Sequence, residues 1–403
     1  MTYRILSLDG GGPWALIQAC VLGDLYPGES GHQILGHFDL AIANSGGSLT
    51  LAGLIKNLQP NAIRDLFLTP ANRNQIFVRT GLVEYLFDKT LGLGPKWSTT
   101  AKLAGLTALM NAPPAGIASM RMSAVPQFVQ STTGRGLQVI ISAFDYDLNR
   151  EVFFCGTRSP ISNAGGFDPA VAGAVHASTN APVNYFDGPA VVMDTSAPGT
   201  RRFWDGGVGG YNNPVLRGVV EALRMGEPAS NIAALTLGTG TIWQPLGKPQ
   251  QGESAQLFRP ADDPSTLGDA KKMAECILDD PPDAATLNAH VISGASPTAP
   301  RIIRLSPWIA PQLKTNAWLL PVGFQMFTDS SGNPIHQLDA FTTLRDMPMD
   351  ANDQDSVELI HQLAQIWIRG NIGNQGIQTD PLKGNAVVGF SDYPSGKAAW
   401  LRI

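Results

Sequence analysis

The stretch FDLAIANSGGSLTLAGLI, Phe38 to Ile55, decides the fold that we predict for this chain. Its first part is rich in β-forming residues, and its last part is an apolar mixture that suits a helix. A serine on a sharp turn between a strand and a helix is strained, and the residues two before and two after it must be small. Ala43 and Gly47 meet that need, so the sequence predicts a strand, a turn at Ser45 and a helix.

The position of Ser45 suits a nucleophile. It would lie at the carboxyl end of a strand, where the positive dipole end of the following helix favours developing negative charge. An ordinary turn is the alternative, because Asn, Ser and Gly cluster in turns and the chain has A-x-S-x-G in place of G-x-S-x-G. This stretch alone leaves both interpretations open.

A glycine-rich turn follows the first predicted strand, RILSLDGGG, and precedes a predicted helix that starts near Pro13. Bare amides at a helix N-terminus can receive an anion, which suits an oxyanion hole for acyl transfer at Ser45. Residues 10–15 also fit the G-x-G-x-x-A pattern of a dinucleotide site, but no acidic residue ends a second strand about 20 residues later. A purely structural glycine turn is the third reading.

Composition excludes several classes of protein. The chain has 403 residues, 43% of them hydrophobic, with 43 Gly and 30 Pro, as expected for a globular protein with many tight turns. Its net charge of -5 gives no electrostatic case for nucleic acid. Cys20, Cys155 and Cys276 are widely separated and lack a metal-binding spacing. We therefore expect reduced thiols, no metal and no cofactor.

The domain organisation follows from the absence of a repeat or long linker. We predict one domain over 1–403, with core motifs in 1–241, an inserted polar segment at 244–299 and a strand and helix region at 300–403. The first predicted strand begins at once, which leaves no room for a signal peptide, and no apolar run is long enough to span a membrane. We therefore expect a cytoplasmic protein.

Further elements are predicted along the chain. Residues 137–155 alternate around a DYDLN turn and predict a β-hairpin. Residues 109–129, rich in Ala, Met and Pro, form either an apolar cover over a lipid pocket or buried packing. The aromatics of 316–327 are expected to be exposed, and His176 is expected to be packed or at the surface. Helices are predicted at 63–68, 82–87, 101–110, 268–278 and 356–368.

Residues 201–214, RRFWDGGVGGYNNP, place Asp205 between an apolar strand and a pair of glycines. An aspartate in that position can simply cap a turn. Three stretches together, DGGG at 9–12, ANSGGS at 43–48 and DGGVGGYNNP at 205–214, resemble the oxyanion loop, serine elbow and second catalytic loop of the patatin-like acyl hydrolases. The resemblance extends to about residue 241 and implies a three-layer α/β/α fold with a central, mostly parallel sheet.

Residue by residue, the resemblance implies Ser45 as nucleophile, Asp205 as its base, and the amides of Gly10, Gly11 and Gly12 as oxyanion donors. The implied activity is lipid acyl hydrolysis, of the phospholipase A, lysophospholipase or carboxylic ester hydrolase type, through an acyl-enzyme. The implied partners are a lipid or acyl-ester substrate and, peripherally, a membrane or micelle surface.

The chain departs from the family pattern at Trp14, since x-Arg-Gly usually follows DGGG and here Pro13-Trp14-Ala15 follows it. The positive charge usual near the oxyanion hole is therefore missing. Two alternatives stay open: a non-catalytic member of the fold that binds a lipid or a protein, and an α/β-hydrolase with a Ser-Asp-His triad. His290, His336 and His361 follow Asp205 in sequence and are the candidates for such a triad.

Overall fold

The computed structural model describes residues 2–80, 96–156, 167–182, 185–195, 198–247, 253–260, 283–296, 298–382 and 384–403. The helices predicted at 82–87 and 268–278 lie outside these ranges, as do Cys276 and half of the predicted insertion at 244–299. Every site residue that the sequence predicts falls within them.

The described residues form a central sheet of eight strands. Their bounds are β1 (Tyr3–Leu8), β2 (Leu40–Ala43), β3 (Gln138–Asp145), β4 (Arg150–Cys155), β5 (Ala190–Met193), β6 (Thr200–Asp205), β7 (Ile232–Leu237) and β9 (Ile302–Leu305). The order is β5-β6-β3-β2-β1-β7-β9, with β4 beside β3. The strands β3, β2, β1, β7 and β9 run parallel to one another. In contrast, β4 and β6 pair antiparallel with β3, and β5 pairs antiparallel with β6.

Helices flank this sheet and account for most of the other regular structure. Their bounds are α1 (Leu16–Leu25), α2 (Gly31–Leu35), α3 (Ser45–Ile55), α4 (Pro60–Leu68), α5 (Pro70–Ile76), α6 (Thr99–Asn111), α7 (Val125–Thr133), α8 (Val171–Ser178), α9 (Val215–Arg224), α10 (Gln337–Asp346), α11 (Gln354–Ile368) and α12 (Tyr393–Trp400). The smaller strands are β8 (Thr241–Ile242), β10 (Pro307–Ile309), β11 (Gln312–Lys314), β12 (Ala317–Leu319), β13 (Gly373–Asn374), β14 (Gln378–Asp380) and β15 (Asn385–Val388).

Alternating side chains of the central strands pack against different helices. Ile5 of β1 joins one apolar cluster with Val219 of α9. Leu6 and Leu8 of the same strand belong to the larger cluster, which also contains apolar residues of α1 and α3. Since successive side chains of a strand point to opposite faces, both faces of the sheet are covered by helices. The three-layer α/β/α fold predicted from the sequence is therefore confirmed.

Several local predictions can be compared with this fold. The hairpin at 137–155 is present as β3 and β4. In 109–129, Met122 and Val129 are fully buried in the core, which favours packing over a cover. The prediction that the aromatics of 316–327 are exposed is wrong for Phe324 and Phe327. Both side chains are buried, and Phe324 packs against Phe341 of α10. Over the described ranges, no helix combines the length and apolar character needed to cross a membrane.

Candidate active site

Ser45 occupies a strained turn between β2 and α3. Its φ is +46°, in the left-handed region that non-glycine residues seldom adopt. A Cβ on Gly47 would lie 2.5 Å from the carbonyl oxygen of Leu8, so only glycine lets α3 approach β1 this closely. The Ser45 amide donates to Ser178 Oγ at 2.9 Å. The predicted strand, turn and helix are confirmed, although Ser45 is only 8% exposed.

The edges of β3 bring Asp205 to this turn. One edge pairs with β4, and the other pairs first with β2 and then with β6. Ile141 faces Ala43, the last residue of β2, and Ala143 faces Asp205, the last residue of β6. Strands β2 and β6 therefore run in opposite directions along the same edge of β3, and their last residues lie close together. Asp205 consequently lies beside the turn that carries Ser45.

Hydrogen bonds hold the buried Asp205 carboxylate in place. Asn44 Nδ2 donates to its Oδ1 at 3.0 Å, and the Gly207 amide donates to the same atom at 2.8 Å. Ser142 Oγ donates to Asn44 Oδ1 at 2.7 Å, which fixes the orientation of the amide. Burial raises the pKa of Asp205, while hydrogen bonds from the Ser45 side chain, Gly207 and Asn44 lower it. Asn44 and Ser142 were not predicted as site residues.

A buried lysine lies near this carboxylate. Lys102 of α6 donates to the His176 carbonyl at 3.0 Å and to Asn180 Oδ1 at 2.7 Å. The Asn180 carbonyl in turn accepts from the Asp205 amide at 3.0 Å. Burial lowers the pKa of Lys102 well below its usual value, and the charge of Asp205 opposes that change. A lysine in a helix usually reaches solvent, so this contact could not be predicted from the helical pattern.

A second carboxyl group faces the same region. The two carboxyl oxygens of Glu151 are buried and have no hydrogen-bond partner among the described residues. Burial raises the pKa of Glu151 to about 10, and the charge of Asp205 contributes to this rise. The raised pKa favours the protonated, neutral form of Glu151 at neutral pH.

The glycine loop lies against the start of α3. Gly11 and Gly12 have φ of +149° and +54°, and a Cβ on Gly46 would lie 2.8 Å from the Gly12 amide nitrogen. The Gly10 amide already donates to the Asn212 carbonyl at 2.8 Å. The amides of Gly11 and Gly12 have no acceptor within the described ranges. The amides of Gly11 and Gly12 are therefore free to meet an acceptor, whereas the amide of Gly10 is already bonded.

Residues far along the chain fix the glycine loop. Asp9 is 2% exposed and forms an ion pair with Arg304 of β9 at 2.5 Å. Burial raises the pKa of Asp9 to about 6, although Arg304 acts to lower it. Thr239 Oγ1 donates to the Gly10 carbonyl at 2.7 Å. A Cβ on Gly12 would lie 2.5 Å from the Met349 carbonyl oxygen.

None of the six histidines, all of which are described, hydrogen-bonds to Ser45 or Asp205. His176 is buried, and burial lowers its pKa to about 2. His361 contacts Glu358 and Gln365 of its own helix, α11. In the described part of the chain, no group of three or more His, Cys, Asp and Glu side chains could hold a metal ion.

Comparison with known proteins gives a family match and weaker structural likenesses. A family model for patatin-like phospholipase matches residues 6–217, more than half of the chain. VipD from Legionella pneumophila is 10% identical with a TM-score of 0.36, covering 90% of this chain and 67% of VipD. The type III effector ExoU is 13% identical, with a TM-score of 0.23, over 44% of this chain and 39% of ExoU.

Full-length ExoU in complex with SpcU, from Pseudomonas aeruginosa, is 12% identical with a TM-score of 0.23, over 73% of this chain and 53% of that chain. This chain thus spans less than two thirds of either ExoU chain. No curated protein matches it.

Proposed function

This chain belongs to the patatin-like phospholipase family, and from that premise we propose that it is a lipid acyl-ester hydrolase working through a dyad of Ser45 and Asp205. Family membership supports a lipid hydrolase in general. The observation that carries the finer proposal is the position of the buried Asp205 carboxylate beside the Ser45 turn, where Asn44 and Gly207 hold it and the Ser45 side chain helps to lower its pKa. Phospholipase A, lysophospholipase and simple ester hydrolase activities all fall within it.

In the first step, Ser45 Oγ attacks the ester carbonyl while Asp205 takes its proton. A serine hydroxyl needs such a base, and an aspartate can serve if it is close and shielded from water. Asn44 and Gly207 both donate to Oδ1, so Oδ2 is the oxygen we assign to the proton. The strained turn at Ser45 and the amide bond to Ser178 hold the nucleophile in place.

The tetrahedral intermediate carries a negative oxygen. The amides of Gly11 and Gly12 are its proposed donors, and losing one such donor costs about 100 to 1000-fold in rate. Collapse of the intermediate expels the alcohol, which takes the proton from Asp205. Water then attacks the acyl-enzyme while Asp205 takes its proton. The bond between the acyl carbon and Ser45 Oγ breaks, Oγ takes the proton back from Asp205, and the fatty acid leaves.

An apolar cavity beside α3 supports an acyl substrate. It has a volume of about 70 Å³, and its lining includes Pro13 of the glycine loop segment and Leu49, Ala52 and Gly53 of α3. Leu49 lies one helical turn after Ser45, so an acyl chain attached to Ser45 could follow the helix into this cavity. We propose that lipids reach it from a membrane or micelle surface.

Specific observations argue against the two alternatives, the Ser-Asp-His triad and the non-catalytic lipid-binding protein. A triad requires a histidine that contacts both the serine and the aspartate, and none does so here. A non-catalytic lipid-binding member would not require the bonds that orient Asp205 toward Ser45. Trp14, the departure that favours this alternative, is buried with 6% exposure, so it fills space beside the loop.

The test compares Ser45→Ala, Asp205→Asn and the double variant with the wild type, using short p-nitrophenyl esters and labelling by a fluorophosphonate. Each single change is expected to abolish turnover, and the double variant should be hardly slower than either, because the two residues act as one unit. Ser331→Ala, at an exposed serine, is the control. Normal turnover by a folded Ser45→Ala protein would refute the proposal.

A further inference from the structure

Lys102 of α6 lies inside the protein, close to the proposed site. Its side chain is fully buried, and Nζ lies 4.0 Å from the centre of the Phe186 ring. Lysine is almost never fully buried, because an ammonium group is costly to remove from water. A position over a ring face, which attracts a cation, offsets part of this cost. The polar contacts of Lys102 show which protonation state the fold holds.

Three oxygens surround Nζ of Lys102. They belong to the His176 carbonyl at 3.0 Å, the Thr179 hydroxyl at 3.3 Å and the Asn180 side-chain amide at 2.7 Å. All three act as acceptors, because the Thr179 hydroxyl donates its hydrogen to a carbonyl of α8 and the Asn180 amide nitrogen donates to the Gly188 carbonyl. An ammonium group has three hydrogens, whereas a neutral amine has two and would turn its lone pair toward an oxygen. The three acceptors therefore match the charged form of Lys102.

The charge of Lys102 has no direct ion-pair partner in the described ranges. Burial lowers its pKa well below the usual value, and the charges of Asp205 and then Asp187 act to raise it. Asp187 accepts from the Thr99 amide at 2.9 Å, at the start of α6. His176 of α8 stays neutral, because burial and the charge of Lys102 lower its pKa to about 2. Among the described groups, Asp205 is therefore the main negative charge that acts on Lys102.

The same interaction acts on Asp205. Burial raises the pKa of Asp205, and the charge of Lys102 adds to the effect of its hydrogen bonds in lowering it. Two other titratable groups interact with Asp205 without adding a positive charge. The raised pKa of Glu151, about 10, favours its neutral form, and burial raises the pKa of Tyr185 to about 12. In the described part of the chain, the positive charge that favours an ionised Asp205 comes from Lys102.

Asn180 links the lysine to the base through the main chain. Its side-chain oxygen accepts from Lys102, and its carbonyl accepts from the Asp205 amide at 3.0 Å. Asp205 ends β6, and Asn180 follows the end of α8. Lys102 therefore also fixes the residue that holds the end of β6.

We propose that Lys102 is a positioning residue of the Ser45 reaction: its ammonium charge, held by three neutral oxygens, keeps the Asp205 carboxylate ionised and ready to accept the serine proton. This inference rests on the proposed function, because Lys102 acts on the reaction only through its base. No contact between Lys102 and the ester is required. When Asp205 takes the proton from Ser45, the three hydrogens of Lys102 stay on its nitrogen.

The direct test is a titration of Asp205 by carbon-13 NMR, in protein labelled at the aspartate carboxyl carbons. The signal of Asp205 is assigned by its absence in Asp205→Asn. Lys102→Met keeps a long side chain but removes the charge, so the midpoint of Asp205 should rise by about one pH unit or more. Lys102→Arg keeps the charge and should leave the midpoint close to that of the wild type. Lys314→Met, at an exposed lysine of β11, is the matched control.

Kinetics then connect this midpoint to hydrolysis. The acidic limb of kcat/KM for a short p-nitrophenyl ester should move to higher pH in Lys102→Met by the same amount as the midpoint, because the base must be ionised to act. If no ester is hydrolysed but the midpoint rises as expected, the dyad proposal fails and the action of Lys102 on Asp205 stands. If esters are hydrolysed and the midpoint is unchanged, only the inference about Lys102 fails.

Two results would overturn the assignment of Lys102. One is an unchanged midpoint in a folded Lys102→Met protein; the other is an equal rise in Lys102→Met and Lys102→Arg, which would show that shape and not charge matters. Thermal melting shows whether each variant is folded. Should Lys102→Met not fold, nitrogen-15 NMR of the wild type decides: an ammonium signal near the Phe186 ring at neutral pH supports the proposal, and a neutral amine refutes it.

Discussion

Removal of the Asn44 amide should shift the pH dependence of hydrolysis. Asn44 Nδ2 donates to Asp205 Oδ1 at 3.0 Å and lowers the pKa of that carboxyl group. In Asn44→Ala the carboxylate loses this donor, so its pKa rises further. Since the base must be ionised to accept the Ser45 proton, the acidic limb of kcat/KM should move to higher pH.

The size of the shift follows from the strength of the bond. Hydrogen bonds to charged groups contribute about 1.5 to 3 kcal/mol, and one pKa unit corresponds to about 1.4 kcal/mol. We therefore expect the limb to move by roughly one to two units. Well above the limb, Asp205 is ionised in both proteins and the two rates should converge.

The assay is kcat/KM for a soluble ester, measured from acidic to alkaline pH. Ser142→Ala, which keeps Asn44 but frees its amide, should shift the limb in the same direction by less. Asn61→Ala, at an exposed asparagine of α4, is the control. An unchanged limb, or a rate lowered equally at every pH, would refute the role of Asn44 in setting this pKa.

Two further predictions test the dyad and the acyl cavity. Changing His176, His290, His336 or His361 to Gln, one at a time, should leave kcat/KM within about tenfold, or roughly 1.4 kcal/mol; loss of all activity in a folded variant would transfer the mechanism to a triad. Ala52→Leu should fill part of the cavity beside α3, so kcat/KM for long-chain esters should fall more than for short soluble esters. Equal effects on both chain lengths would place the acyl chain elsewhere.

The sequence predicts what is encoded locally. The turn at Ser45 needs small residues at Ala43 and Gly47 in any fold, so the strand, turn and helix could be read from one stretch. Asp205 could be placed at a strand end before two glycines for the same reason. The alternation of the hairpin and the apolar face of α11 likewise depend only on spacing along the chain.

The roles that depend on strand neighbours could not be read in this way. Asn44 orients Asp205 only because β2 and β6 share one edge of β3, and Ser142 fixes Asn44 only because β3 is adjacent to β2. Lys102 enters the site because α6 packs on α8, which is not encoded in its own helical pattern. Such contacts emerge only when the order of the sheet is known.

The ion pair between Asp9 and Arg304 sets a time at which the site can be completed during synthesis. The two residues are 295 positions apart in the chain. At about 5 to 20 residues per second, Arg304 is made roughly 15 to 60 seconds after Asp9. For about the last third of that interval Ser45 and Asp205 have both been made, while the carboxylate at the base of the glycine loop still lacks its partner. We expect a nascent chain stalled before Arg304 to react with a fluorophosphonate far more slowly than a chain that contains Arg304, so the site of this protein would be completed only after Arg304 has been made.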